Sequence, residues 1–482
     1  MRTNLIYVLI CILIFTPSAN AQTEKHKYYP ESDTAVLNKL EHWQDIKFGL
    51  LMHWGPYSQR GIVESWSICS EDEGWCQRKS DNYEQYKQDY ENLKTTFNPL
   101  KFNPEKWAEA AAYAGMKYVV FTTKHHDGFC MFDTKTTNYK VTDPGCPFHT
   151  NPKANITKEI FSAFRSKGFL TGAYFSKPDW NCNYYWWPYF ATPDRNCNYN
   201  INKYPDRWEN FVQFTHTQIN ELMTNYDTVD ILWLDGGWVK KYTNEELTRY
   251  RNKPDFKQCN LQSQDIRMSE IVKKAREKQP GLIVVNRAVE GPYQNYLTPE
   301  NRVPENAIYD YPWESCIIAG GGWSYAFNAT YKSGYEAVKL LVDIVAKGGN
   351  LLLNIAPGPE GDFDQGAYDM LKEIGDWMKV NSECIYNTRA HKPYKTGKIY
   401  FTEHKSGKYL YAVYMPDEDE TTLPEIIMIY GLNLPQKINI SLLGSEESIT
   451  CERTGKGLQI NVSETIISNN RGKYAWVFKI KK

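Results

Sequence analysis

Short apolar runs recur along the chain, and each stops at a cluster of polar or ionisable residues. "KFGLLMHWG" ends at His53 and Trp54, "MKYVVFTTKHHDGF" at Lys124, His125, His126 and Asp127, and "GFLTGAYFSKPDW" at Tyr174, Ser176 and Asp179. "VDILWLDGGW" ends at Asp235, "GLIVVNRAVEG" at Asn286 and Arg287, and "GGNLLLNIAPGPEGD" at Asn354. The runs alternate little and are rich in Val, Ile and Leu, as expected of parallel strands buried on both faces. Helix-length segments separate them. In "NPEKWAEAAAYAG", Asn103 is placed to cap, Pro104 to open and Gly115 to stop a helix. "NITKEIFSAFRSKG", "SEIVKKAREKQPG" and "SGYEAVKLLVDIVAKGG" repeat that plan. Strand then helix, repeated, predicts a (β/α)8-like, TIM-type barrel whose strand ends open into one mouth. A doubly wound open sheet is the alternative, but no glycine-rich phosphate fingerprint follows an early strand. Past residue 385 the texture changes to short β-rich runs separated by turn residues, which predicts a C-terminal antiparallel β-sandwich over 386–482.

The first residues alter the picture at the front of the chain. "MRTNLIYVLICILIFTPSANAQ" has a basic start at Arg2, an apolar run from Leu5 to Phe15 and a small-residue ending, Ala19-Asn20-Ala21. That is the plan of a signal peptide over 1–21, leaving a barrel domain over 22–385. The apolar run is short for a membrane span, so the mature chain is expected to be exported, to the periplasm or beyond the cell, without a membrane anchor. Export permits disulfides, and Cys69/Cys76 and Cys182/Cys197 are spaced closely enough to bridge loops; spacing alone leaves both pairings open. No pair of C-x-x-C units is present to suggest structural zinc. Net charge is −1, from 56 basic and 57 acidic residues, which removes the usual footprint of a nucleic-acid binder. Aromatic content is 15%, with 15 Trp and 35 Tyr. Such rings serve either a large core or the C–H faces of a sugar, and composition does not separate the two.

Candidate chemistry gathers at the strand ends. The tandem His125-His126 lacks the H-E-x-x-H or His/Cys company of a metal site, so hydrogen bonding to a polar ligand beside His53 is the better reading. Asp235, carried by an apolar run into two glycines, reads as a strand-end carboxylate facing the mouth. Glycoside hydrolysis needs a second carboxyl group with a raised pKa. Glu300 in "TPEN" and Glu314 in "PWESC" both follow the "VVNR" strand, and Glu64 in "VESW" lies near an earlier one. Taken singly, each Glu reads better as a solvated loop carboxylate; as a set they favour a site.

"FGLLMHWGPYS", "YVVFTTKHHDGF", "DILWLDGGW", "TPEN", "WESC" and "GGNLLLNIAPGPEG", in this order, resemble the α-L-fucosidases of glycoside hydrolase family 29. The resemblance covers nearly the whole mature chain. It implies a retaining exo-hydrolase that removes terminal α-L-fucose from fucosylated glycans, with no metal or organic cofactor. It assigns Asp235 as nucleophile. His53, Glu64, Trp66, His125, His126, Tyr174, Trp233 and Arg287 match pocket positions, and Trp323 an aromatic near the sugar methyl. The acid/base does not transfer cleanly: Glu300 is favoured on the view that long loops donate active-site groups, with Glu314 the alternative. A non-catalytic glycan-binding protein and a retaining glycosidase for a related sugar are the competing readings. Linkage, aglycone and oligomeric state are not written in these motifs.

Overall fold

The computed structural model describes residues 28–69, 78, 80–285, 287, 291–432, 434, 438–469 and 474–482. The expected leader lies outside them, as does Cys76. Seven strands form one parallel sheet: β1 (Phe48–Met52), β2 (Tyr118–Lys124), β3 (Leu170–Ser176), β4 (Ile231–Asp235), β5 (Ile283–Val284), β6 (Glu314–Ile318) and β7 (Asn350–Asn354). Their order is β5-β4-β3-β2-β1-β7-β6, with β2 at the centre of the sheet. All residues of β1, β2 and β7 are buried, which is why these runs carry no polar alternation.

The helices follow the capping signals. Asn103 accepts from the Lys106 N–H ahead of helix Pro104–Tyr113, and Ser333 forms a reciprocal box with Glu336 ahead of helix Gly334–Ala346. A cap contributes about 1 kcal/mol. Burying Ile160, Phe161 and Phe164 of helix Ile156–Ser166 contributes about 1.5–3 kcal/mol each, so packing decides whether that helix holds.

The βα alternation breaks between β5 and β6, where no helix is found among the described residues. Instead residues 296–300 run between the two strand edges as an irregular eighth stave. Val285 bridges Tyr296, Leu297 bridges Trp313 and Glu300 bridges Cys316, all in parallel sense. The Glu314 N–H donates to the Leu297 carbonyl and the Asn301 N–H to that of Cys316, each at 2.8 Å. Pro299 has no N–H to give a ladder, so the stave closes the ring without registering as a strand.

The C-terminal unit packs two antiparallel sheets. Its strands are β8 (Thr388–Thr396), β9 (Ile399–His404), β10 (Tyr409–Tyr414), β11 (Ile426–Ile429), β12 (Asn439–Leu442), β13 (Thr450–Thr454), β14 (Gly457–Asn461) and β15 (Trp476–Lys481). The sheets run β12-β15-β10-β9-β8 and β11-β14-β13. Phe401, Leu410 and Phe478 from one meet Ile427, Leu458 and Ile460 from the other in a common core. Against the barrel, Arg389 and Lys405 grip the Asp45 carboxylate, and the Trp377 indole donates to the Ala475 carbonyl. One of the two pairings that spacing left open is not formed: Cys182 and Cys197 are both free thiols. Burial pushes each thiol up to about 12, and the Cys197 Sγ donates to the Tyr199 carbonyl instead.

Candidate active site

The strand ends meet as the apolar pattern requires. Asp235 ends β4, in register with Ser176 at the end of β3. Burial opposes ionisation of Asp235. The Arg287 guanidinium, His126, the Tyr174 hydroxyl and the Gly236 N–H outweigh it and hold the carboxyl well below the usual carboxylate range. Tyr174 donates to Oδ2 at 2.6 Å, and the Arg287 Nη2 lies 3.2 Å from Oδ1. The other guanidinium arm, Nη1, lies 2.7 Å from the Glu300 Oε2. One cation thus carries two carboxylates, one at the floor of the mouth and one at its rim, where the Glu300 side chain is 47% exposed.

Three imidazoles line the same floor. His53 Nδ1 pairs with the Asn354 Oδ1 at 2.9 Å, His125 Nδ1 with the Ser65 Oγ at 2.6 Å, and His126 Nδ1 with the Ser176 Oγ. With each Nδ1 engaged, the Nε2 edges are left for the cavity. Burial lowers all three below the ordinary histidine range, His53 to about 4 and His126 to about 3, so the rings are neutral at mid-range pH. His125 stacks on Tyr174 at 5.6 Å and Tyr174 on Trp233 at 5.3 Å. Trp66 meets His126 edge-on, and Trp323 tilts against His53.

Glu64, beside Trp66 in the loop after β1, is buried, and burial pushes its carboxyl up to about 7, with the charges of Glu300 and Asp235 adding to the effect. Its Oε2 has no hydrogen-bond partner. All these groups surround one cavity of about 760 Å³, which Arg195, Gly237, Trp238, Asn301, Cys316, Ile318 and Gly322 also line. His125, His126 and Asp235 bring one donor atom each within 4.8 Å of one another, a spacing that suits a cation as well as a polyol. Arg287 already places positive charge against that carboxylate. Neutral imidazoles, a charged carboxylate, a buried carboxyl with one unpartnered oxygen and aromatic walls make a pocket for a small polyhydroxylated ring with one apolar face.

A family model described as Alpha-L-fucosidase matches residues 15–383, and one described as Alpha-L-fucosidase C-terminal domain matches residues 392–481. The chain belongs to the α-L-fucosidase family. The plasma α-L-fucosidase of Rattus norvegicus is 27% identical over 500 residues, covering 100% of this chain and 99% of the relative. Among solved structures, α-L-fucosidase isoenzyme 1 from Paenibacillus thiaminolyticus is 28% identical with a TM-score of 0.74, over 93% of this chain and 99% of its own. The Thermotoga maritima α-fucosidase, solved in complex with a mechanism-based inhibitor, is 25% identical with a TM-score of 0.70, over 95% and 100%. The chain is therefore a glycoside hydrolase of the α-L-fucosidase type, acting on fucosylated glycans. No helix among the described residues is long and apolar enough to cross a membrane.

In this fucosidase the residues anticipated from sequence converge on the cavity with one exception. Glu314 opens β6 opposite Asn350, the first residue of β7, and so lies at the amino-terminal floor of the barrel, away from the mouth. There it accepts from the Tyr118 hydroxyl at 2.6 Å and the Trp233 indole at 3.2 Å. Reading it as a loop residue after the "VVNR" strand missed that it begins a strand of its own. Ser176 was noted only as a strand-end residue, and Ser65, which like it orients a histidine, was not anticipated; nor were Arg195, Trp238 and Asn301 at the rim. The serines had a faint signal, since each directly adjoins or ends a motif already singled out. Arg195 sits in the aromatic-rich segment 182–204, which as a whole suits either an outer subsite or a core insertion, and the residue itself had no signal of its own.

Proposed function

We propose that this chain is an exo-acting, retaining α-L-fucosidase working by double displacement, with Asp235 as nucleophile and Glu300 as acid/base. The observation that carries the reading is the pair of carboxylates on opposite arms of Arg287. A shared guanidinium suits the short separation, about 5–5.5 Å, that retaining glycosidases use. An Asp235 oxygen attacks the anomeric carbon as the bond from that carbon to the aglycone oxygen breaks, and protonated Glu300 gives its proton to the departing oxygen. Water then attacks the same carbon, Glu300 takes the water's proton, and Asp235 leaves as carboxylate. Glu300 suits the acid because it stands at the rim, where a leaving group points outward.

His53, His125, His126, protonated Glu64 and Trp66 hold the hydroxyls of fucose, while Trp233 and Trp323 offer apolar surface to its ring and methyl. Arg287 supplies the positive charge at the nucleophile, so the reaction calls for no metal. We further place the catalytic unit at 22–385 and the sandwich at 386–482, with export after removal of 1–21. The test is hydrolysis of a nitrophenyl α-L-fucoside followed by NMR. α-L-Fucose as the first-formed anomer is expected; β-L-fucose first, or no hydrolysis of any α-L-fucoside, would overturn the reading.

A further inference from the structure

Resting on that reading, we propose that Arg195 forms the leaving-group subsite, donating hydrogen bonds to the sugar from which fucose is cut. Arg195 sits on the loop between β3 and helix Pro205–Asn225. Its carbonyl is held by three side-chain donors: the Trp180 indole at 3.2 Å, the Tyr185 hydroxyl at 3.0 Å and the Trp238 indole at 3.2 Å. Two of those donors come from the loop itself and the third from the turn after β4. Three donors on one acceptor fix the backbone from which the side chain departs, on a loop that has no regular structure to do so.

The guanidinium lies 4.7 Å from the Trp66 ring centre and 5.2 Å from that of Trp238, and it lines the catalytic cavity. Those two indoles hold its plane at the rim. The floor, built from His53, His125, His126 and Trp233, is buried; Glu300, Asn301 and Gly237 at the rim are exposed. An exo-enzyme fills the floor with the terminal sugar, so the rim receives the next one. Guanidinium N–H groups only donate, so they select hydroxyl, ring or carboxylate oxygens. The indole faces beside them suit pyranose C–H groups. A nitrophenyl group offers much less to this surface.

The experiment compares Arg195→Ala with the parent on two substrates. One is a nitrophenyl α-L-fucoside. The other is whichever member of a panel of α-1,2-, α-1,3-, α-1,4- and α-1,6-fucosylated oligosaccharides the parent cleaves best. The ratio of kcat/KM, glycan over aryl, is expected to fall about tenfold, chiefly through KM on the glycan. Arg195→Lys, which keeps the charge but loses the planar fork, should fall part of the way and serves if the alanine variant does not fold. A ratio within twofold of the parent overturns the subsite, whether both activities drop together or neither does. So does a parent that cleaves the aryl fucoside and no glycan. A parent inactive on every fucoside overturns the fucosidase reading itself, and the subsite with it.

Discussion

The two ends of the barrel each hold a largely buried carboxyl with two side-chain donors, yet the two groups are shifted in opposite directions. At the mouth, Asp235 is met by Tyr174 and Arg287 and held well below the usual carboxylate range. At the floor, Glu314 is met by Tyr118 and Trp233, and burial pushes it up to about 7. The difference lies in the charge of the donors. A phenol and an indole stabilise a carboxylate but do not offset its desolvation; a guanidinium does. Trp233 joins the two ends, because its ring lies 5.1 Å from the Arg287 guanidinium while its indole N–H serves Glu314. A carboxyl buried in a barrel is thus insufficient to mark a nucleophile. The cation beside Asp235 keeps that carboxyl ionised, as the role proposed for it requires.

The largest test removes the charge at the mouth. Asp235→Asn should lower kcat/KM on the order of 10⁴-fold or more, as expected when a residue that forms the covalent intermediate is lost. Azide added to Asp235→Gly should restore turnover as a fucosyl azide of inverted configuration. Asparagine retaining a tenth of parental activity would remove Asp235 from the chemistry. Next comes the exchange of the two glutamates. Glu300→Gln should cost about 10²–10⁴-fold on glycans, where the leaving oxygen needs a proton, and far less on an activated aryl fucoside. Glu314→Gln should cost less than tenfold on either. The reverse pattern would move the acid/base to the barrel floor and break the contrast.

Much of this was legible because buried parallel strands have a plain signature. The strand-end groups His53, His125, His126, Tyr174 and Asp235 could be placed at one mouth from the ends of apolar runs alone. What was illegible had weak local patterns. β8 and β13 are edge strands, partly to largely exposed and rich in polar residues, and neither alternates. The stave at 296–300 contains a proline and makes only isolated bridges, which hid both the closure of the ring and the strand that Glu314 begins. Glu64 read as a solvated loop acid because a short 3₁₀ turn, Ser65–Ile68, tucks it inward, and no periodicity announces such a turn. Arg195 depends on donors from its own loop and from the turn after β4, on an irregular segment with no periodicity to announce them.

Glu64 gives a smaller effect that sharpens the comparison within the mouth. Its carboxyl is pushed up to about 7 by burial and by neighbouring carboxylates. Below that value it is protonated and can donate to a sugar hydroxyl; as pH rises through about 7 it ionises and the donor is lost. An alkaline limb in kcat/KM near pH 7 is therefore expected. Glu64→Gln, which keeps an N–H donor at every pH, should flatten that limb while lowering the plateau about tenfold or less. A limb of unchanged position and depth in the variant would mean that another group sets it.

The smallest effect belongs to Glu314 and appears in stability rather than turnover. Its folded-state value is raised from the ordinary 4.5 to about 7, so its protonated form is favoured by folding. A raised carboxyl contributes stability that is fully present below its unfolded value and lost as pH climbs through its folded value. For this rise the contribution is on the order of 3 kcal/mol. Glu314→Gln keeps a carbonyl to accept from the Trp233 indole and turns its amide toward the Tyr118 hydroxyl, which can accept, but it has no proton to lose. The melting temperature of the parent minus that of the variant should therefore fall by a few degrees between pH 5 and pH 8, as a ΔΔG of that size implies. Subtracting the variant removes the histidines and Asp235, which titrate in both. A difference that stays flat with pH would mean the floor carboxyl is already ionised at pH 5, and that neutral donors can do at one end of this barrel what Arg287 does at the other.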